Sequence, residues 1–195
     1  MFALSDADLN LRILGCADGL ASFNAEATRR GTVAISVDPL YRLDSRTMRD
    51  RLAATYEQIL EQTRRNTHQF VWDTIRSIDE LGRMRMEAMQ TFLEDYDVGK
   101  RQRRYVEAEL PSLAFPDKSF DLAVCSHFLF LYSEHLPKTF HRRAILELCC
   151  VASEVRIFPL FALDGSLCPG AVQVTLAESR REYDRLSWHS YRTRS

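Results

Sequence analysis

Five short, nearly continuous apolar runs stand out along the chain. They cover residues 10–15, 32–38, 105–110, 119–126 and 154–160. Strands buried on both faces of a sheet read this way, whereas half-exposed strands alternate apolar with polar residues. Between the runs lie stretches with helical spacing. Residues 20–30 form the first, with Gly31 placed to cap it, and residues 140–152 form another. Strand and helix alternate, which predicts an α/β domain built on a doubly wound, mostly parallel sheet. Pro39 stops the second strand and Pro159 falls near the end of the fifth.

Residues 44–104 depart from this rhythm. They contain no proline, are dense in charge, and are rich in helix formers. Ser45 is a suitable cap for a first helix, whose stripe is Met48, Leu52, Tyr56, Ile59 and Leu60. A second helical stretch runs through Phe70, Val71, Trp72, Ile75 and Ile78, and a third covers residues 80–96 with Gly99 marking its exit. The segment is longer than a minimal crossover between parallel strands and reads as a helical insertion.

The candidate chemistry lies in the turn after the first strand. Gly15-Cys16-Ala17-Asp18-Gly19 supplies small residues that let backbone approach a ligand. Asp38, at the end of the second strand, can accept hydrogen bonds from ribose hydroxyls. The spacing opposes a dinucleotide, because that fingerprint needs a small residue at position 20, where Leu20 stands.

The small residues fall instead at Gly15, Ala17 and Gly19, and the chain here resembles the class I S-adenosylmethionine (SAM) methyltransferases. A second segment is similar to the same family: Glu109-Leu110, then Phe115-Pro116-Asp117-Lys118-Ser119-Phe120-Asp121. The likeness spans residues 10–160 and implies a Rossmann-like methyltransferase fold with S-adenosyl-L-methionine as cofactor. It implies that Gly15, Cys16, Ala17, Asp18 and Gly19 pass under the methionine part, that Asp38 binds ribose, and that Glu109 and Leu110 contact adenine. It also implies that Cys125, Ser126 and His127, just past the fourth strand, border the transferable methyl. The family's acid two residues before the first glycine is replaced here by Ile13.

His127 is the candidate general base, since an imidazole titrates near neutral pH. Phe70, Trp72, Met86, Met89 and Tyr96 are candidates to line an acceptor pocket. The competing reading is that they form the insertion's own core, which is the commoner fate of such stripes. His135 and His141 read as surface or capping residues.

Composition narrows the partners. A net charge of −1 gives no footprint for nucleic acid. No apolar run approaches the roughly 20 residues that span a bilayer, and no leader is visible. None of the five cysteines has zinc-binding spacing. The expectation is a single cytoplasmic domain over residues 1–195 with no metal, acting on a small-molecule acceptor. The alternatives are a degenerate methyltransferase fold that only binds or scaffolds, and a nicotinamide-dependent oxidoreductase. Residues 169–195 form an arginine-rich tail without the two closing strands the family normally has. A divergent, truncated or frame-shifted end would each account for it, and a homodimer is one way to cover the sheet edge left open.

Overall fold

The computed structural model describes Phe2, residues 4–54 and residues 77–162. Five strands form one parallel sheet: β1 (Arg12–Cys16), β2 (Val33–Val37), β3 (Tyr105–Val106), β4 (Phe120–Ser126) and β5 (Ala152–Phe158). Their spatial order is β3-β2-β1-β4-β5. The helices are α1 (Phe23–Arg29), α2 (residues 45–54), α3 (Ile78–Arg101) and α4 (Lys138–Val151). The chain winds from β1 outward to β3, then returns to start β4 on the other side of β1. That reversal opens a crevice outside the carboxyl ends of β1 and β4, where open parallel sheets bind ligands. The architecture is α/β and Rossmann-like.

Strand alternation divides the core. Leu14 and Cys16 of β1, with Ala123 and Cys125 of β4, face Ala144, Ile145 and Leu148 of α4. Ile13, Leu122 and Val124 point to the opposite face and pack with Phe23 of α1 and the amino-terminal Phe2, Leu4 and Leu11. A third cluster sits beyond β2. It joins Met48 and Leu52 of α2, Phe92, Leu93 and Tyr96 of α3, Tyr105 of β3, and Tyr41 from the 3-10 turn Pro39–Arg42. Four of its rings lie 5.0–6.0 Å apart. The Tyr96 hydroxyl donates to the carbonyls of Tyr41 and Leu43, both at 2.9 Å.

Several sequence expectations need correction. Helix α3 does not end before Gly99; it runs 24 residues, through Gly82 and Gly99 to Arg101. Glycine at position 99 answers a packing need, because a side chain there would overlap the buried Tyr105 ring. Strand β3 is two residues long, not six, and Glu109 instead forms an isolated bridge with Ser112. Helix α1 begins at Phe23 because the chain first turns, with Ala21 N–H donating to Asp18 C=O at 3.1 Å. Asp44, not Ser45, caps α2: its carboxylate accepts from Thr47 N–H at 2.7 Å, and Ser45 Oγ donates to Asp97. His141 is buried rather than at the surface, its ring nitrogens facing the carbonyls of Leu129 and Pro137. The expected helical stretch at 70–78, with Phe70 and Trp72, and the tail at 169–195 lie largely or wholly outside the described residues.

The amino-terminal 3-10 turn (Asp8–Asn10) is tied to β5 by charge. Arg156 donates to both Asp8 oxygens, at 2.8 and 3.2 Å. That bond holds the Asp8 carboxyl down at about 2. A carboxyl lowered on folding stabilises the fold above its unfolded pKa and loses that contribution as pH falls toward the folded value. Asp8→Asn is therefore expected to cost about 1–2 kcal/mol at neutral pH and little near pH 2, in urea titrations at the two pH values.

Candidate functional site

The turn between β1 and α1 owes its shape to small residues. Ala17 and Gly19 have φ of +57° and +53°, a region that β-branched and bulky side chains resist. Ala17 N–H donates to Val37 C=O at 2.9 Å, carrying the β1–β2 pairing one step beyond the sheet. Gly19 is gripped from both sides. Its N–H donates to Asp38 Oδ2 at 2.9 Å, and its carbonyl accepts from the Tyr41 hydroxyl at 2.9 Å.

Asp38 is buried at the end of β2, and its second oxygen accepts from Leu40 N–H at 2.8 Å. Two backbone donors thus fix the carboxylate. A carboxylate has about four acceptor positions, so about two remain for a ligand.

Asp18 turns away from solvent. Its carboxyl lies over Gly15, where a side chain at position 15 would overlap it, and Oδ2 accepts from Ser36 Oγ at 2.5 Å. Burial raises this carboxyl to about 6 despite the Ser36 bond, and the nearby Asp38 adds to the rise. Ser36 in turn accepts from Asn24 Nδ2 at 3.2 Å, and Asn24 Oδ1 accepts from Arg104 at 2.6 Å. A polar chain therefore runs from the turn to the end of the insertion.

Beside the turn is a cavity of about 250 Å³. Its walls are Cys16, Ala17, Val37, Asp38, Pro39, Ala108, Glu109, Leu110 and Phe128. The volume is near the lower end of the roughly 300–1,000 Å³ usual for small-molecule sites. Among the described residues the lining is apolar apart from two carboxylates and holds no basic side chain. Glu109 is exposed, with no side-chain partner among the described residues.

Five of the ten expected cofactor residues line this cavity: Cys16, Ala17, Asp38, Glu109 and Leu110. Gly15, Asp18 and Gly19 build the turn behind it. Cys125 is buried next to Cys16 in the strand register. Burial pushes the Cys16 thiol well up and Cys125 to about 12, so both pack as thiols and neither is a ready nucleophile. Ser126 ends β4, paired with Phe158 of β5, and His127 follows it. His127 has φ of +52°, its N–H donates to Phe158 C=O at 2.6 Å, and its Nδ1 is 2.9 Å from Ser126 Oγ. Partial burial of the ring, with Arg85 nearby, lowers its pKa.

The insertion residues fall elsewhere. Tyr96 is in the aromatic cluster, and Met86 and Met89 pack against it. None of the three lines the cavity. Val37, Pro39, Ala108 and Phe128 do line it and were not anticipated, although each is within a few residues of one that was.

Among the described residues, no group of three or more His, Cys, Asp or Glu is placed to hold a metal, and no helix is long and apolar enough to cross a membrane. No family model and no solved structure matches the chain. Over 167 residues it is 32% identical to an uncharacterized protein of Methanocaldococcus jannaschii, MJ0045, a match that covers 85% of this chain and 74% of the archaeal one. With that identity over most of both lengths, the chain belongs to the same family as this archaeal protein.

Proposed function

We propose that the protein binds S-adenosyl-L-methionine and transfers its methyl group to a small-molecule acceptor. One observation carries the reading. At the switch point of a parallel sheet, an apolar cavity lies beside a left-handed glycine turn, with Asp38 from the end of β2 and Glu109 from beyond β3 on its wall and no cation among the described lining residues. Adenine and ribose suit such a lining, whereas a pyrophosphate would meet carboxylates.

Asp38, pre-set by Gly19 and Leu40, would hold the ribose hydroxyls. Glu109 would accept from the adenine amine, with Leu110, Pro39 and Phe128 against the ring. When bound, the cofactor supplies a methyl group already activated on a sulfonium. The chain's own part is to orient and to exclude water, which accounts for much of the rate advantage in such displacements. His127 lies off the cavity wall; in the tautomer whose Nδ1–H donates to Ser126 Oγ, its Nε2 would take a proton from an acceptor that reaches it.

A second reading has one observation in its favour. Ile13, where the family has an acid, is fully buried against Leu122 and Val124 and adds no polar group to the turn. A protein that binds the cofactor without turnover would fit that. Calorimetry with S-adenosylmethionine and S-adenosylhomocysteine tests the shared part, and failure of both to bind at high micromolar concentration would sink both readings. Methyl release from labelled cofactor in the presence of small-molecule acceptors then separates them. Asp38→Ala is expected to weaken S-adenosylmethionine binding by about 1–3 kcal/mol, the scale of lost charge-assisted hydrogen bonds. Unchanged affinity would remove Asp38 from the site.

A further inference from the structure

We infer that Asp18 is a positioning residue that sets the charge preference of this site: its carboxyl, seated over Gly15 and held by Ser36, favours a cationic sulfonium over the neutral thioether left after transfer. The inference rests on the S-adenosylmethionine reading and extends it from which ligand binds to how substrate is told from product.

The argument begins with what surrounds the carboxyl. Among the described residues its one hydrogen-bond partner is a neutral hydroxyl, Ser36 Oγ at 2.5 Å. Among the described residues the titratable groups near it are Asp38 at the end of β2, Cys16 of β1, Cys125 of β4 and Tyr41 of the following 3-10 turn. Each is an acid or a neutral hydroxyl or thiol. The nearest cation in the polar chain is Arg104, reached only through Ser36 and Asn24 and already paired with Asp95 at 2.7 Å. A carboxylate withdrawn from water without a counter-charge is costly, and the cost falls when a positive ligand arrives. Asp18 does not line the cavity, so it acts through the field behind the turn and not by touching the ligand.

The direction with pH follows. Burial and Asp38 hold the carboxyl near 6. Below that value it is neutral and adds nothing to the preference for a cation that the wall carboxylates Asp38 and Glu109 give. Above it the negative charge appears, and preference for the sulfonium grows.

The test is calorimetry with S-adenosylmethionine and S-adenosylhomocysteine, each titrated between about pH 5 and about pH 7.5. Both ligands carry the same adenosine and amino-acid groups; the sulfonium lowers the amine pKa of S-adenosylmethionine, so the ratio of dissociation constants is corrected for the two amines' separately measured titrations. In the native protein the preference for S-adenosylmethionine is expected to rise about fivefold to tenfold across that range, as a partly screened charge pair would give. Asp18→Asn should flatten the profile while S-adenosylhomocysteine still binds. Ser36→Ala should move the midpoint to higher pH, because its hydroxyl holds the carboxyl down, an effect that a merely structural role would not produce. A flat profile in the native protein, or an unaltered one in Asp18→Asn, overturns the inference and leaves the binding reading intact. Absence of binding by either ligand overturns both.

Discussion

Arg104→Met is expected to destabilise the fold by about 2–4 kcal/mol at neutral pH, the loss that follows when one partner of a largely buried ion pair is removed. The guanidinium sits where three elements meet. It donates to both Asp95 oxygens of α3, at 2.7 and 2.8 Å, to Asn24 of α1 at 2.6 Å, and to Gln102 at 2.8 Å. Methionine fills similar space but leaves the Asp95 charge with the Tyr105 hydroxyl and the more distant charge of Arg29. The pH dependence provides the sharper check. Burial by itself raises the Asp95 carboxyl, but the Arg104 and Tyr105 bonds outweigh it and hold the group below its ordinary value. Asp95 therefore stabilises the native fold above its unfolded pKa, and that contribution fades as pH falls. In the variant burial prevails, the folded pKa rises above the unfolded one, and the sign reverses: acidification toward about pH 4.5 should recover part of the loss. Urea titrations at neutral and mildly acidic pH read this directly. A deficit that does not shrink on acidification would mean that the pair contributes shape and not charge.

This network also marks where the sequence stops being legible. Strands β1, β2, β4 and β5 declare themselves through their apolar runs, and the glycine turn through its spacing, because each signal lies within a few adjacent residues. The carboxylates on the cavity wall, Asp38 and Glu109, could be placed for the same reason: they end or follow strand-like runs. What links Asp18 to Arg104 has no such local mark. Ser36 is one polar residue in a Val/Ile strand, Asn24 one amide near the start of a helix, and Arg104 one of many arginines. Their meaning arises only when the sheet brings β2 beside β3. The signal that could have been used is Ser36 itself, since a hydroxyl in a strand buried on both faces needs a partner. The fate of the insertion stripe was equally hidden. Periodicity shows that Met86, Met89 and Tyr96 share a face, but an acceptor pocket and an aromatic core offer the same stripe. Tyr41, from a 3-10 turn that no period reveals, helps make it a core.

Gly15→Ala bears on the site most directly. The position has an ordinary strand backbone, so the glycine is not required for its φ; what excludes a side chain is the Asp18 carboxyl lying where Cβ would go. An added methyl must displace that carboxyl. The group then loses its bond to Ser36. An overpacked contact and a buried hydroxyl left without its acceptor together point to a loss of about 1–4 kcal/mol in stability. Affinity for S-adenosylmethionine should fall by more than about tenfold, since Gly19 and Asp38 are set by the same turn. The double variant Gly15→Ala with Asp18→Gly separates the two consequences. Removing the carboxyl relieves the overlap but still leaves Ser36 without its acceptor, so the overpacking part of the loss should return and the two changes should be non-additive. Preference for the sulfonium should not return, because the charge that produces it is gone. If Gly15→Ala alone proves as stable as the native protein and keeps its pH-dependent preference, then the Asp18 carboxyl is not seated over position 15, and the account of the turn fails with it.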